Sequence, residues 1–212
     1  MQDIFDFDVM NELKLMKVNK SGYICYQEEE MRHLLFLVEG RAKVERSLAN
    51  GKTMLLSFYE GFGVIGDIEL VHDGPVNCTV QALTTCYVLA LPVEKARLYL
   101  QKDVKLLNYL CKALANKLES ISNNSSVNLL YPLENRLASY INMVADEPEK
   151  VGEKRFFIEN LTHLAELLGT SYRHLLRTLN SLCQMNIIHK ERKGYVIIDE
   201  NELEKLAKAI YK

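Results

Sequence analysis

Basic side chains are concentrated in one short stretch near the C-terminus of this 212-residue chain. From Ser171 to Lys193 there are five lysine or arginine residues and one acid, although the whole chain has a formal charge of -2. The five are Arg173, Arg177, Lys190, Arg192 and Lys193. A guanidinium can donate two parallel hydrogen bonds to a base or a phosphate, and an ammonium pairs with phosphate as a point charge. The stretch therefore predicts recognition of nucleic acid.

Two short helices joined by a glycine turn are predicted to position these side chains. The first begins after Asn160, a good N-cap, and Gly169 ends it. The second is capped by a hydroxyl at Thr170 or Ser171, and its buried stripe is Leu175, Leu176, Leu179 and Leu182. Its outer side then presents Ser171, Tyr172, Arg173, His174 and Arg177. This is the layout of a helix-turn-helix, whose second helix enters the DNA major groove.

An ordinary helical hairpin with a solvated polar face is the alternative that apolar spacing leaves open. The next segment favours DNA binding, because residues 186–190 and 195–199 read as two strands around a turn that contains Gly194. A β-hairpin in this position is a wing. It would present Lys190, Arg192 and Lys193 where phosphates lie.

The first half of the chain is predicted to be a small β-barrel or sandwich. Short strands are separated by glycine-containing turns, including one at 61–66, and Asn50-Gly51 is the strongest hairpin signal. The predicted strands are 23–26, 34–38, 42–45, 54–59, 80–82 and 87–91, with no helix between them.

A cupin-like metal enzyme is the alternative for such a barrel. His33 and His72 are its two histidines, and they lack the paired spacing of a metal site. No phosphate loop, Ser/His/Asp order or close carboxylate pair indicates catalysis elsewhere. We therefore expect a sensor domain without metal or cofactor, and not an enzyme.

The five cysteines are too scattered for a disulfide framework or an iron-sulfur cluster. They are Cys25, Cys78, Cys86, Cys111 and Cys183. Cys111 and Cys183 each follow a leucine by four residues, so both are predicted to be small core residues. The N-terminus is acidic and no apolar run has the length of a membrane span, so a cytoplasmic location is expected.

A long helix is predicted from Val104 to about Leu130, after a helical region that Pro92 opens. Apolar residues recur in it at 106, 107, 110, 114, 118 and 121, which suits packing against a partner helix. The alternative is a core helix that covers the barrel. Beyond Tyr131-Pro132, the sequence predicts a helix at 133–145, a short strand at 155–158 and a closing helix at 201–212. The closing helix should turn Leu203, Leu206, Ala207 and Ile210 inward.

These motifs together resemble the CRP/FNR superfamily. The resemblance is carried by Leu164-Ala165 through Leu168-Gly169, by Ser171 with Arg177 and Leu179, and by Gly194. The stretch from Ser171 to Leu176 looks most like the YeiL branch. The resemblance implies an α+β fold with a cyclic-nucleotide-binding-type β-roll at 1–103, a dimerisation helix at 104–131 and a winged helix-turn-helix at 132–212. It also implies a homodimer that reads an inverted repeat in double-stranded DNA, with RNA polymerase as a candidate partner and no membrane.

The resemblance places the family's base-reading positions at Tyr172, Arg173 and Arg177. Only Arg177 keeps the usual residue, so the DNA site should differ from that of the family's namesake activator. Lys190, Arg192 and Lys193 are expected to contact mainly phosphate.

In nucleotide-binding relatives a glutamate holds the ribose, an arginine neutralises the cyclic phosphate, and a small hydroxyl residue follows it. The resemblance maps these positions onto Asp67, Val76 and Asn77. Because Val76 has no charge, a buried phosphate would lack a cationic partner, and cyclic AMP is not expected to bind.

The positions that meet the base in the family fall at Ile121 and Ser122. The sequence leaves two outcomes open, namely an apolar or uncharged ligand bounded by Leu70, Val76 and Ile121, or a roll filled by its own side chains. An alternative function also remains, in which the β-roll is a ligand-sensing or redox-responsive protein-interaction module with weak or lost DNA binding.

Overall fold

The computed structural model describes residues 1, 3–146, 148 and 154–207, without the side chains of 125–129. These residues form two compact units. The first contains Met1–Ser47 and Leu56–Ser122, and the second contains Leu48–Leu55 and the described residues from Asn123 onward.

The elements of the N-terminal half begin with a 3₁₀ turn at Met10–Glu12. The strands are β1 (Lys14–Val18), β2 (Tyr23–Cys25), β3 (His33–Glu39), β4 (Arg41–Ser47), β5 (Thr53–Glu60), β6 (Gly63–Ile65), β7 (Thr79–Ala82) and β8 (Cys86–Pro92). The helices are α1 (Asp67–His72), α2 (Val93–Leu100) and α3 (Val104–Leu130).

The strands form two four-stranded sheets, with orders β1-β8-β3-β6 and β2-β7-β4-β5. β3 is buried on both faces, because successive side chains of a strand point to opposite sides. Leu35 and Leu37 belong to one core with residues of both sheets. Leu34 and Phe36 belong to a second core, which includes Leu106 of α3. The predicted β-rich N-terminal domain is therefore confirmed.

Three elements of this unit differ from the sequence prediction. β1 was not expected, since four of its five residues are exposed and show no apolar alternation. β6 lies inside the stretch predicted as a turn, and α1 lies where no helix was expected. β6 has three residues and α1 has six, so neither is long enough to give a clear period.

The second unit contains α4 (Leu133–Val144), β9 (Phe156–Phe157), α5 (Leu161–Leu167), α6 (Tyr172–Gln184), β10 (Ile188–Lys190), β11 (Tyr195–Ile197) and α7 (Glu200–Ala207). The three strands pair in the order β10-β11-β9. Tyr140 is fully buried and donates a 2.6 Å hydrogen bond to Glu159 Oε1.

The closing helix agrees with the prediction at the positions that are described. Leu203 and Ala207 are buried, Leu206 is half-buried, and Ile210 lies outside the described residues. Within the described parts of the chain, we find no helix with the length and apolar character needed to cross a membrane.

Candidate nucleic-acid interface and effector cavity

The turn between α5 and α6 is fixed by local hydrogen bonds. Asn160 Oδ1 accepts from the backbone amides of Thr162 and His163, at 2.9 and 3.2 Å, and so caps α5. Gly169 has φ of 59°, a left-handed conformation that favours glycine. Its N–H donates to the carbonyl of Glu166 at 2.9 Å and closes the end of α5.

The second helix presents one apolar face to the core and a polar face outward. Ser171 Oγ accepts from the amide of His174 at 3.2 Å, which makes Ser171 the N-cap. Leu175, Leu179 and Leu182 are fully buried, while Leu176 is half-buried. The exposed residues of the first two turns are Ser171, Tyr172, Arg173, His174 and Arg177, as the sequence predicted.

The wing is a short antiparallel hairpin in which Ile188 pairs with Ile197 and Lys190 with Tyr195. Its strands are shorter than predicted, and the turn is closed by a 2.9 Å bond from the amide of Glu191 to the carbonyl of Gly194. Gly194 is packed closely, since a Cβ there would lie 2.3 Å from the carbonyl oxygen of Phe157. The wing cations Lys190, Arg192 and Lys193 are all exposed.

The five cations of α6 and the wing are therefore available to a ligand. Within the described residues, none of the side chains of Arg173, Arg177, Lys190, Arg192 and Lys193 forms an ion pair. Exposed guanidinium groups at the start of a helix with an adjacent basic hairpin suit base edges and flanking phosphates. The division of roles among these side chains stays a prediction.

The first unit contains a cavity of about 570 Å³. Asp67, Val76, Asn77 and Ile121 line it, as the resemblance implied. Two expected lining residues do not lie there. Leu70 of α1 is buried in the core against α2 and α3, because α1 turns that face away from the cavity. Ser122 is exposed, and Ser120, two residues earlier on α3, lines the cavity.

A lysine that sequence reasoning missed also lines the cavity. Lys117 Nζ lies 2.5 Å from Asp67 Oδ1 and donates to the carbonyl of Val64 at 2.9 Å. It also lies 5.6 Å from the ring centroid of Tyr59. Asp67 is 1% exposed, and its charge is compensated by this ion pair. Lys117 is 50 positions from Asp67, so no local spacing links them.

A second carboxylate, that of Glu69, is also buried in the cavity lining. Glu69 is 7% exposed, and its Oε1 accepts from the backbone amide of Asn77 at 2.9 Å. The side chain of Asn77 accepts from Cys78 Sγ at 2.6 Å. The resemblance assigns phosphate binding to the positions of Val76 and Asn77. The backbone amide of Asn77 already donates to the carboxylate of Glu69, so it is not available to a phosphate.

Burial keeps the cavity thiols protonated. Desolvation raises the pKa of Cys25 from 9.0 to about 12 and that of Cys78 to about 11. Cys86 is buried, Cys183 is half-buried and Cys111 is exposed, so the prediction of a core role for Cys111 was wrong within this chain. Cys111 follows the buried Leu110 on α3, and the rotation of about 100° between neighbouring residues takes it out of the core. Among the described residues, no group of three or more His, Cys, Asp and Glu side chains could hold a metal.

A β-roll with a cavity and a winged helix-turn-helix with exposed cations define a transcription regulator with a sensor-type domain. Residues 15–103 match the cyclic nucleotide-binding domain, and residues 135–206 match the Crp-like helix-turn-helix domain. The chain is 34% identical to the regulatory protein YeiL of Escherichia coli O157:H7, over 97% of this chain and 91% of that protein. It belongs to the CRP/FNR family of transcription regulators.

Other relatives and solved structures agree with this assignment. The cAMP-activated global transcriptional regulator CRP of Haemophilus influenzae is 22% identical, over 86% of this chain and 83% of that protein. A CRP/FNR-family regulator from Eubacterium rectale superposes with a TM-score of 0.77 at 16% identity, covering 94% of this chain and 92% of its own. A CRP-family regulator from Thermus thermophilus gives 0.71 at 17% identity, covering 93% and 98%. The predicted family and α+β fold are confirmed.

Proposed function

We propose that this regulator is a homodimer that reads an inverted repeat in double-stranded DNA, and that its β-roll does not bind cyclic AMP. The observation that carries dimerisation is an exposed apolar stripe on α3. Leu107 is 45% exposed and Leu118 is 70% exposed. Cys111 and Ala115 lie exposed between them, at steps of four residues from Leu107, and Leu118 follows Ala115 by three residues. Such a stripe at helical spacing suits a second copy of the same helix.

The two sequence interpretations of α3 apply to different faces of it. Leu106 and Leu110 are buried in the core beside the β-roll, as an intramolecular helix requires. The stripe from Leu107 to Leu118 lies outside this core and faces solvent, and large apolar side chains in water favour association. A single recognition helix contacts few base pairs, so a dimer with half-sites one helical turn apart would supply the specificity.

The charges of the described residues that line the cavity support the second part of the proposal. Val76 lines the cavity and offers no charge. Lys117 lines it too, but its charge is already compensated by Asp67 at 2.5 Å. A cyclic phosphate would have to displace a buried carboxylate from this lysine, which costs several kcal/mol in a low-dielectric site. The relative from Haemophilus influenzae is named as cAMP-activated, and this chain has valine where the nucleotide-binding relatives have the phosphate-binding arginine.

The relatives are transcription regulators, so we infer binding without turnover, in the cytoplasm, with RNA polymerase as a further partner. A redox-responsive module is a weaker proposal, because protonated thiols such as Cys25 and Cys78 react slowly with oxidants. The cavity of about 570 Å³ favours a bound effector over a roll filled by its own side chains.

The proposal is tested by selecting bound sequences from random duplex DNA with purified protein. We expect an inverted repeat whose half-sites are roughly 34 to 36 Å apart. A single unrepeated half-site, or no enrichment, would contradict the dimeric reader. Calorimetric titration with cyclic AMP and cyclic GMP to millimolar concentration tests the second part, and saturable micromolar binding would refute it. Val76→Arg should restore some binding.

A further inference from the structure

We propose that the β-roll cavity takes a small organic cation, with a protonated amine on an apolar body. This inference rests on the proposed function, since it assumes that the cavity is the effector site. The inference goes beyond the proposed function by assigning a positive charge to the effector, whereas a cyclic nucleotide is negatively charged.

The charged groups buried in the cavity lining have an excess of negative charge. Asp67 and Glu69 are 1% and 7% exposed, and the ammonium paired with Asp67 is that of Lys117, whose side chain is 25% exposed. The second oxygen of Asp67, Oδ2, is buried and has no hydrogen-bond partner among the described residues. A buried carboxylate oxygen without a donor is costly, and a ligand N–H would remove that cost.

Glu69 is the carboxylate that a cationic ligand would pair with. One backbone amide donates to it, and within the described residues its side chain forms no ion pair. Arg46 borders a second, smaller cavity together with Glu69. Arg46 is exposed, so water and salt screen its charge and leave Glu69 incompletely compensated.

The rest of the lining suits an apolar body. The cavity is walled by aliphatic side chains from both sheets, among them Ile24, Leu35, Val44, Leu56, Ile65 and Val80. A ligand with an ammonium at the α1 end and a hydrocarbon portion against these residues would be matched in both parts.

An anion is disfavoured by the same geometry. It could approach Lys117 only beside the carboxylate of Asp67, which lies 2.5 Å from that ammonium, and like charges at short range in a buried site repel strongly. The two carboxylates therefore select against phosphates and carboxylates as well as for amines.

The charge preference can be measured without knowing the effector, because Cys78 lines the cavity. The probes are a matched pair of methanethiosulfonate reagents, one with an ethylammonium group and one with an ethylsulfonate group. The rates at Cys78 are followed at pH 8 by peptide mass spectrometry of the full-length protein. We expect the cation-to-anion rate ratio at Cys78 to exceed that of free cysteine about tenfold or more.

Glu69→Gln removes one charge with little change of shape, and should lower this ratio at least about threefold. Glu30→Gln is the matched control, since Glu30 also lines the cavity but its side chain is 82% exposed, and the ratio should stay unchanged. If Glu69→Gln does not fold, Asp67→Asn serves instead and should also lower the ratio.

A ratio at or below that of free cysteine would overturn the inference, as would a ratio that Glu69→Gln and Asp67→Asn leave unchanged. These outcomes are separate from failure of the proposed function, which is read from DNA selection and cyclic nucleotide calorimetry. A dimeric DNA reader that rejects cyclic AMP but reacts equally with both reagents would contradict this inference alone.

Discussion

Lys117 of α3 and Asp67 of α1 form an ion pair with a distance of 2.5 Å between Nζ and Oδ1. The aspartate is almost completely buried, whereas a quarter of the lysine side chain is exposed. The pair ties the long helix to the first turn of α1, and Lys117 also bonds the carbonyl of Val64 in β6. One side chain therefore holds three elements around the cavity.

Lys117→Met should destabilise the protein by about 3 kcal/mol, because it leaves Asp67 buried without a cation. Urea denaturation measures the change in the free energy of unfolding. The double variant Lys117→Met/Asp67→Asn should recover part of that loss, since no buried charge remains. Lys112→Met on the exposed side of α3 is the control and should change stability by less than about 0.5 kcal/mol. Equal effects of Lys117→Met and Lys112→Met would show that the pair contributes nothing.

Arg177→Ala should weaken binding to the selected operator by about 1 to 3 kcal/mol and relax preference at one base pair. We expect this because the variant would lose the proposed bidentate base contact, and competition binding with operator and random duplex measures the change in affinity. Lys193→Ala is the contrast, because a phosphate contact is lost equally on all sequences and the salt slope falls by about 1. An unchanged ratio of operator to random affinity in Arg177→Ala would remove Arg177 from the base readers.

Leu114→Lys with Leu118→Lys should convert the proposed dimer to monomers that no longer protect both half-sites. Leu114 is half-buried and lies about two turns after Leu107, on the side of α3 that carries the stripe, so a charge there or at Leu118 would have to be desolvated in the proposed interface. Light scattering gives the mass, and footprinting gives the number of half-sites. Glu119→Lys, at an exposed neighbouring position, should remain dimeric. A double-lysine variant that stays dimeric would place the interface elsewhere.

Gly194→Ala should destabilise the protein by about 1 to 3 kcal/mol through the collision of the new methyl with the Phe157 carbonyl. The backbone of β9 would have to move, which also displaces the wing. Gly74→Ala is a suitable control, because the nearest atom to its Cβ would lie at 3.7 Å, an ordinary contact. Thermal unfolding of the two variants should differ clearly, and a normal melting temperature for Gly194→Ala would be inconsistent with this packing.

Alkylation of Cys25 by iodoacetamide should accelerate about tenfold per pH unit from about pH 7 to 10, since only the thiolate reacts. Free cysteine would level off near its ordinary pKa of 9.0, whereas the pKa of Cys25 is about 12. Burial favours the neutral thiol and so raises the pKa of Cys25 in the folded state. The contribution of this thiol to the stability of the folded protein is therefore fully present below pH 9 and is lost as pH rises from 9 toward about 12. A plateau near pH 9 at Cys25 would mean that the thiol is solvated.

The sequence predicted secondary structure best where an apolar period extends over many residues or where a residue has a specific helix-capping role. The bounds of α3 agree with the prediction, and the caps at Asn160, Gly169 and Ser171 have the expected hydrogen bonds. The family and fold followed from these same motifs. β1, β6 and α1 were missed because an edge strand, a three-residue strand and a six-residue helix carry too little periodicity.

The lining of the cavity was predicted less well than the exposed faces of α6 and the wing. Its lining comes from strands, α1 and α3, so its composition depends on tertiary packing that a linear pattern does not contain. The sequence interpretation named Val76, which lines the cavity, but overlooked Lys117, a cation on a helix that had been considered only for its apolar residues. Leu70 was assigned to the wrong face of the short helix α1, and Ser122 to the wrong face of the long helix α3.

The position of Lys117 beside Leu118 on α3 has a mechanical consequence. Consecutive residues of an α-helix are separated by a fixed rotation of about 100° and a rise of about 1.5 Å. Lys117 faces the cavity and Leu118 belongs to the exposed stripe, so the two directions are rigidly related. If α3 turns about its axis to bring Lys117 away from Asp67, it must turn Leu118 by the same angle. A rotation of α3 that accompanies a change of ligand in the cavity would therefore also change the apolar surface that α3 exposes on its other side.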